Sequence, residues 1–189
     1  MTKSVLLVGV GGQGTILASK LLTLGLMEKG YDVKMSEIHG MSQRGGAVSS
    51  QVRYGEQVQS PVIEKGGADV LIAFEKMEAL RWIPYLRPGC KVIVNDYEIP
   101  PMPVITGKAE YPEDLLEQLK ALADTTVVNA AEEAVKLGNS RVMNIILLGM
   151  IIKAMGLEEI DWEKIIRENM KPQLVEINLK ALALGRSLA

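Results

Sequence analysis

Two glycine-rich segments contain the residues of this sequence that are best suited to bind a ligand. The first, Gly9-Val-Gly-Gly-Gln-Gly14, has glycines at the spacing G-x-G-x-x-G between an apolar run and a helical pattern. Such glycines permit a tight turn, close approach of the backbone to a phosphate, and close packing of helix on strand. The N–H groups and the dipole at the start of the next helix also favour an anion. The turn is therefore a candidate phosphate site, with structural packing as the alternative.

The second segment is a polar loop, Glu37-Ile-His-Gly-Met-Ser-Gln-Arg-Gly-Gly46, which follows a predicted strand. In open α/β sheets, ligands and partners bind at the carboxyl ends of strands. His39 is the one side chain here that titrates near neutral pH when unperturbed. Arg44 suits a carboxylate or phosphate, and Ser42 and Gln43 add neutral hydrogen bonds. The segment lacks the spacing of an acid, a His and a nucleophile, so we assign no catalytic residue.

A dinucleotide site is one interpretation of these two segments. Glu37 ends the second predicted strand, where an acid would bind the ribose of NAD. Against it, Gly12 and Gln13 are more restrictive than the dinucleotide pattern requires, and nothing later in this sequence looks like the substrate domain of a dehydrogenase. A free-standing Rossmann-like dehydrogenase or nucleotide-binding module therefore stays open as the main alternative.

Composition narrows the classes of function. The 189 residues have a net charge of −2 and only 4% aromatic side chains, which disfavours a nucleic-acid partner. A single cysteine, Cys90, and a single histidine exclude an internal disulfide and an iron–sulfur cluster held by this chain, and we predict no metal site. The longest apolar stretch, 145–152, is too short to span a bilayer, and no export signal begins the chain. We therefore expect a cytoplasmic protein without a membrane partner.

The alternation of apolar runs and helical patterns predicts one α/β domain over residues 1–189. We expect a three-layer α/β/α sandwich with a Rossmann-like start, a mixed, mostly parallel sheet and a helical C-terminal third. Strands are predicted at 5–8, 33–37, 47–54, 69–74, 91–95 and 125–128, with short ones near Val58 and at 104–105. Helices are predicted at 15–29, 75–85, 112–122, 139–155, 162–169 and 171–184.

Five motifs together resemble one known family. In chain order they are Gly9-Val-Gly-Gly-Gln-Gly14, Glu37-Ile-His-Gly-Met-Ser-Gln-Arg-Gly-Gly46, Ala68-Asp-Val-Leu-Ile-Ala-Phe-Glu75, Glu78-Ala-Leu-Arg81 and Asn95…Ile99-Pro-Pro101. They closely resemble the gamma-type domain of the 2-oxoacid:ferredoxin oxidoreductases, and the likeness covers nearly the whole chain. The run His-Gly-Met-Ser-Gln-Arg favours the small beta subunit of the indolepyruvate branch.

The resemblance implies an enzyme that converts arylpyruvates and coenzyme A to aryl-acetyl-CoA, carbon dioxide and reduced ferredoxin. It places thiamine diphosphate, its magnesium and the iron–sulfur clusters on a larger alpha subunit, with which this chain would form a heterodimer or heterotetramer. Ferredoxin would be met through that complex, and no cofactor would be bound by this chain. A broader 2-oxoacid range, or a regulatory or scaffolding subunit without a catalytic contribution, stays open.

Two hypotheses follow for this chain's own residues. The glycine turn (residues 9–14) and the polar loop are expected at one edge of the sheet, where they would face the partner and shape the substrate or coenzyme A channel. The expected ligand- or partner-facing residues are Gly9, Gly11, Gly12, Gln13, Gly14, His39, Ser42, Gln43, Arg44, Gly45 and Gly46. The second hypothesis is that the broad apolar face of the last helix meets a partner, with burial inside its own domain as the alternative.

Overall fold

A six-stranded mixed sheet forms the centre of the computed structural model, which describes residues 2–39 and 45–189. Its strands are β1 (Lys3–Val10), β2 (Asp32–His39), β3 (Ala47–Gly55), β4 (Ala68–Ala73), β5 (Leu86–Asn95) and β6 (Asp124–Val128). The strand order is β2-β3-β1-β4-β5-β6. The pairs β1–β4, β4–β5 and β5–β6 are parallel, whereas β3 is antiparallel to both β1 and β2. The prediction of a mixed, mostly parallel sheet is confirmed.

Helices cover both faces of this sheet. They are α1 (Thr15–Glu28), α2 (Lys76–Trp82), α3 (Met102–Ile105), α4 (Leu115–Leu122), α5 (Ala130–Lys136), α6 (Met143–Met155), α7 (Trp162–Asn169) and α8 (Pro172–Ser187). Helices α1, α5, α6, α7 and α8 share one apolar core with one sheet face, and α2 and α4 lie against the other. The three layers and the helical C-terminal third are therefore as predicted. None of the helices within the described residues combines the length and the hydropathy that a membrane span requires.

The apolar run that begins the chain explains why β1 lies at the centre. Val5 and Leu7 point into the core on the α1 face, and Leu6 and Val8 point into the core on the α2 face. All four side chains are fully buried. A strand covered on both faces has no polar side to alternate with its apolar one, which is why four consecutive apolar residues predict it correctly.

Close contact between α6 and α8 organises the C-terminal third. A Cβ added at Gly149 would lie 2.5 Å from the carbonyl oxygen of Leu182, and one added at Gly185 would overlap the carbonyl oxygen of Ile146. Only glycine permits backbones to approach so closely. The apolar face of α8 packs mainly inside this domain, with Val175 and Leu182 buried, which supports the alternative of internal burial over a partner interface.

Three local predictions were wrong. Residues 104–105 belong to α3, because Val104 N–H and Ile105 N–H donate to the carbonyl of Pro101 and both edges of β5 are already taken by β4 and β6. The helix predicted from residue 112 begins at Leu115, and no strand forms near Val58 within the described residues. The start also departs from a simple Rossmann unit, because β3 returns antiparallel and separates β2 from β1.

Candidate functional site

The glycine turn and the end of the polar loop meet at one edge of the sheet. Strands β1, β2, β4, β5 and β6 all end there, and we call it the carboxyl edge. The N–H of Gly11 donates to the carbonyl of Gly46 at 2.8 Å, and the N–H of Gly45 donates to the carbonyl of Gly11 at 3.3 Å. The structure thus joins two segments that are more than thirty positions apart in the sequence. Ser42, Gln43 and Arg44 lie outside the described residues.

Gln13 fixes the glycine turn to the neighbouring strand. Its Oε1 accepts from the N–H of Val10 at 2.8 Å, and its Nε2 donates to the carbonyl of Phe74 at 2.8 Å. A Cβ at Gly9 would lie 2.7 Å from Gln13 Oε1 and 2.9 Å from Phe74 Cβ. The first glycine of the motif is therefore required for packing, because it leaves room for the Gln13 amide.

The other glycines of the turn differ in what requires them. Gly14, at φ 82°, is the residue before α1, and a Cβ there would lie 2.6 Å from Nδ2 of Asn144. Asn144, buried in α6, donates from that nitrogen to the carbonyl of Gly14. Gly12, at φ 105°, has open space where a Cβ would be. Close approach of a ligand to this turn is therefore possible at Gly12, whereas Gly9 and Gly14 are explained by internal contacts.

The position of the turn favours ligand binding. In the strand order, β2 and β3 lie to one side of β1, and β4, β5 and β6 lie to its other side. The connections after β1 therefore diverge, and the crevice between the ends of β1 and β4 is a topological switch point. Crevices at such points are where open α/β sheets bind ligands. The Gln13 side chain spans this crevice. A ligand would therefore lie over the turn rather than between the two strands.

His39 shares a pocket of about 410 Å³ with the start of α1. The pocket is lined by Gly11, Gly12, Gly14, Thr15, Ile16, His39 and Val48. The imidazole is exposed, and Ile16 is 48% exposed, so the pocket combines one titratable group with apolar walls. The first turn of α1 contains no acidic side chain, and Gly14 provides no side-chain cap. Its N–H groups therefore stay available to an anion.

A larger cleft of about 920 Å³ lies on the other side of the glycine turn and contains Arg141. Two carboxylates of this cleft are already paired, Asp96 with Lys76 at 3.1 Å and Glu132 with Lys136 at 3.6 Å. Arg141 forms no ion pair with any other described residue. Its guanidinium is therefore available for an anion that lies over the turn. Arg141 was not among the predicted site residues, because it lies inside the helix predicted at 139–155 and belongs to no recognisable motif.

Asn95 connects three elements beneath this site. It is fully buried, its Nδ2 donates to the carbonyl of Phe74 at 3.1 Å, and its Oδ1 accepts from the N–H of Ala130 at 2.9 Å. The carbonyl of Phe74 therefore accepts hydrogen bonds from both Gln13 and Asn95. In the sequence, the only sign of this role is an asparagine at the end of an apolar strand. Its two hydrogen-bond partners, Phe74 and Ala130, are distant from it in the chain.

The dinucleotide interpretation finds little support in these contacts. Ser19 Oγ of α1 donates to Glu37 at 3.2 Å, so the carboxylate proposed for the ribose is engaged by the helix. Glu37 pairs with Ser50 of β3, and β3 lies between it and the glycine turn on β1. In a Rossmann unit the acid stands on the strand beside the first one.

Glu75 anchors the segment that borders the cleft, and a second buried acid, Glu78, lies near it on α2. Glu75 caps α2 by accepting from the N–H of Glu78 at 2.9 Å, and it also accepts from Tyr111 Oη and, at 3.4 Å, from the N–H of Ile99. Burial, followed by the hydrogen bond with Glu75, raises the pKa of Tyr111. Burial also raises the pKa of Glu78, which the nearby Arg81 offsets only in part. One carboxyl oxygen of Glu78 has no hydrogen-bond partner among the described residues.

Glu78 should therefore make stability depend on pH. A carboxyl whose pKa is higher in the folded state than its ordinary value of 4.5 binds its proton more tightly when folded, so stability falls as pH rises through that range. We expect Glu78→Gln to raise the urea midpoint relative to wild type at about pH 8 and much less at about pH 4. Glu117→Gln, at an exposed position of α4, is the control. Equal shifts for both variants at both pH values would contradict the prediction.

Metal-ligating and thiol groups are sparse. Within residues 2–39 and 45–189, no group of three or more His, Cys, Asp or Glu side chains could hold a metal ion. Cys90 is a buried free thiol on β5, and burial raises its pKa, which disfavours the nucleophilic thiolate. Cys90 therefore behaves as a small apolar side chain in the packing of β5.

Comparison with known proteins gives consistent matches along the whole chain. The family model described as pyruvate ferredoxin/flavodoxin oxidoreductase matches residues 4–188. Indolepyruvate oxidoreductase subunit IorB of Archaeoglobus fulgidus is 40% identical, over 100% of this chain and 96% of its own length. The subunit of that name from Pyrococcus horikoshii is 37% identical, over 96% and 93%. The 2-oxoglutarate synthase subunit KorC of Methanothermobacter marburgensis is 28% identical, over 100% and 97%.

Among solved structures, the gamma subunit of a keto/oxoacid ferredoxin oxidoreductase from Geobacter sulfurreducens has the same fold. Its TM-score is 0.73, with 23% sequence identity, over 99% of this chain and 98% of that subunit. At this identity the likeness concerns the fold, and it agrees with the six-stranded sheet and its helical layers.

Proposed function

Because the chain belongs to the pyruvate ferredoxin/flavodoxin oxidoreductase family, we propose that it is the small subunit of an enzyme that oxidatively decarboxylates arylpyruvates such as indolepyruvate. The observation that supports the arylpyruvate class is the full-length identity of 36–40% to subunits named for indolepyruvate, against 28% to a subunit named for 2-oxoglutarate. In this reaction the 2-oxoacid loses carbon dioxide, its acyl group forms a thioester with coenzyme A, and ferredoxin takes the electrons.

A division of labour between two chains is part of the proposal. One thiolate is too few for an iron–sulfur cluster, and the described residues offer no three-ligand metal group. Thiamine diphosphate, magnesium and the clusters would therefore be held by a larger alpha subunit, where thiamine supplies the carbanion chemistry. This chain would contribute surface and binding groups instead of redox centres.

The carboxyl edge is the part of this chain that we assign to the channel for coenzyme A or the 2-oxoacid. Both ligands are anions, through phosphates in one case and a carboxylate in the other. Two kinds of donor face the edge, namely the N–H groups that begin α1 and the guanidinium of Arg141. His39 stands beside them in the smaller pocket. We add Arg44 to these anion-binding groups from its place in the sequence. It follows His39 in the polar loop, and the next residue, Gly45, donates its N–H to the carbonyl of Gly11 in the glycine turn.

Isolation of the native complex tests the proposed function. A tagged copy of the chain is purified anaerobically from its host and examined by native mass spectrometry. We expect a larger, cysteine-rich subunit to co-purify with it and the complex to be brown. The masses would also decide between a heterodimer and a heterotetramer. A colourless protein without a partner, and above all one that retains a dinucleotide, would contradict the proposal.

Substitution of the two arginines tests the assignment of the channel. In the assembled enzyme, Arg141→Ala and Arg44→Ala should each raise the KM for coenzyme A or for the arylpyruvate about tenfold, because a charge-assisted hydrogen bond contributes at least about 1.4 kcal/mol. Arg167→Ala is the matched control, since Arg167 pairs with Glu163 on the exposed side of α7. Unchanged kinetics for both substrates, with assembly intact, would remove that arginine from the channel.

A further inference from the structure

A second pocket lies at the opposite end of the sheet from the glycine turn. Its volume is about 190 Å³, and it is bordered by the amino ends of β1 and β4, the first half of β5 and the last turn of α6. We call it the amino-edge pocket, and its lining residues that matter here are Lys3, Asp69, Arg87, Gly89, Lys91 and Met155. Nothing in the proposed function uses this end of the molecule.

The charges of this pocket do not balance. Asp69 is its one acid, and it is 8% exposed. One of its oxygens, Oδ2, accepts from the N–H of Ser4 at 2.7 Å, and the other, Oδ1, lies 2.8 Å from Nη1 of Arg87. Lys3 Nζ is 3.7 Å from Oδ1, which is beyond hydrogen-bond distance. Asp69 therefore neutralises Arg87 but leaves the ammonium donors of Lys3 largely unused.

Lys91 adds a further cation without a partner of its own. It forms no ion pair with any acid in the described ranges, and the acid nearest in register is Asp124, directly opposite on β6. Asp69 is thus outnumbered three to one by basic side chains in the lining. These three side chains are solvent-exposed, at 40% for Lys3 and 45% for Arg87, and their like charges repel one another around the pocket. An anion that enters between them would offset this repulsion.

The shape and the donors of the pocket select the class of anion. Its cationic side chains donate hydrogen bonds but accept none. They therefore suit an anion whose oxygens accept hydrogen bonds from several directions. Gly89, at φ 75°, has open space where a Cβ would be, which keeps the mouth clear. The volume corresponds to roughly six water molecules at about 30 Å³ each, enough for one tetrahedral oxyanion and a few waters.

We propose that the amino-edge pocket binds a phosphate-class oxyanion, either inorganic phosphate or the phosphate group of a monoester. The bound anion would accept hydrogen bonds from Lys3 on β1 and from Arg87 and Lys91 on β5. Because these strands flank β4 and the end of α6 closes the pocket, binding would link the central sheet to the C-terminal helices. The pocket lies at the end of the sheet opposite the carboxyl edge, and this proposal does not rest on the proposed reaction.

Thermal unfolding of the full chain in a phosphate titration tests this site, with ionic strength held constant by sodium chloride. A ligand that binds only the folded state raises the melting temperature as its concentration rises above Kd. Wild type should show a rise that chloride alone does not give, and the double variant Lys3→Gln, Lys91→Gln should lose it. Lys136→Gln, whose ammonium pairs with Glu133 on α5, should keep it. An equal rise in the double variant would overturn the proposal.

Phosphorus NMR provides a second measurement that does not depend on a variant. Broadening of the inorganic phosphate resonance by wild-type protein, reversed by sulfate but not by acetate, would support an oxyanion site. Stronger reversal of the broadening by an alkyl phosphate monoester than by sulfate at equal concentration would identify the monoester as the preferred ligand. Reversal by acetate at equal concentration, or no broadening at all, would overturn the assignment to the phosphate class.

Discussion

Gly185→Ala is expected to lower the free energy of unfolding by about 3 kcal/mol, the upper part of the usual range for overpacking. The added Cβ would overlap the carbonyl oxygen of Ile146 and lie 2.8 Å from its carbonyl carbon and 3.0 Å from Cα of Gly149. These are backbone atoms of α6, so no side-chain rotation relieves the overlap. Alanine gains about 1 kcal/mol over glycine in helix propensity, which is too little to offset the separation of two packed helices.

Urea unfolding followed by circular dichroism measures this loss. Ala183→Leu is the matched control, because it adds more atoms to the same helix, α8, at an exposed position. That control should change stability by no more than about 0.5 kcal/mol. If Gly185→Ala unfolds at the same urea concentration as the control, α6 and α8 do not cross with their backbones in contact.

Asn95→Leu should cost about 3 kcal/mol as well, for a different reason. Leucine has the same number of side-chain heavy atoms as asparagine and the same branch at Cγ. It leaves the buried N–H of Ala130 without an acceptor and removes one donor from the carbonyl of Phe74. Each buried polar group that loses its partner costs about 1–3 kcal/mol. The carbonyl of Phe74 also accepts a hydrogen bond from Gln13, which holds the glycine turn. We therefore expect the substitution to disturb the turn and to lower the activity of the assembled enzyme as well as its stability.

Asn129→Ala separates this effect from ordinary helix capping. Asn129 begins the same helix, α5, where its exposed side chain accepts from the N–H of Glu132 at 3.1 Å. Loss of such a cap costs about 1 kcal/mol. An Asn95→Leu variant no less stable than Asn129→Ala would show that the contacts of Asn95 are replaced by water or by a shift of the backbone.

The outline of the fold could be predicted because it depends on local patterns. Val5 to Val8 form a run of apolar residues, the pattern of a strand covered on both faces, and the bounds of α7 agree with the prediction at both ends. The errors arose where neighbours overrode propensity. Val104 and Ile105 favour a strand by their branching, yet the proline-rich turn around Pro101 and the lack of a free edge on β5 place them in α3.

The candidate site could be predicted only in part. The spacing of the glycines indicated the turn, and the polar loop was expected at the same edge, where Gly11 and Gly46 indeed bond. The roles assigned to Ser42, Gln43 and Arg44 stay predictions. What could not be foreseen is that Gly9 is needed for Gln13 and Gly14 for Asn144, so that the spacing typical of a phosphate site is largely a packing requirement.

The family and the α/β class could be recognised from the amino-acid sequence, and so could the glycine turn that follows β1, because each depends on residue types at short spacing. The distant groups that meet at this turn became visible in the folded chain. Asn144 reaches the turn from 130 positions away, and Arg141 enters the cleft beside it. These contacts depend on the order of the strands and on which face each connection crosses. That order follows from the burial of whole surfaces, in which β3 returns between β1 and β2, and no local propensity encodes it.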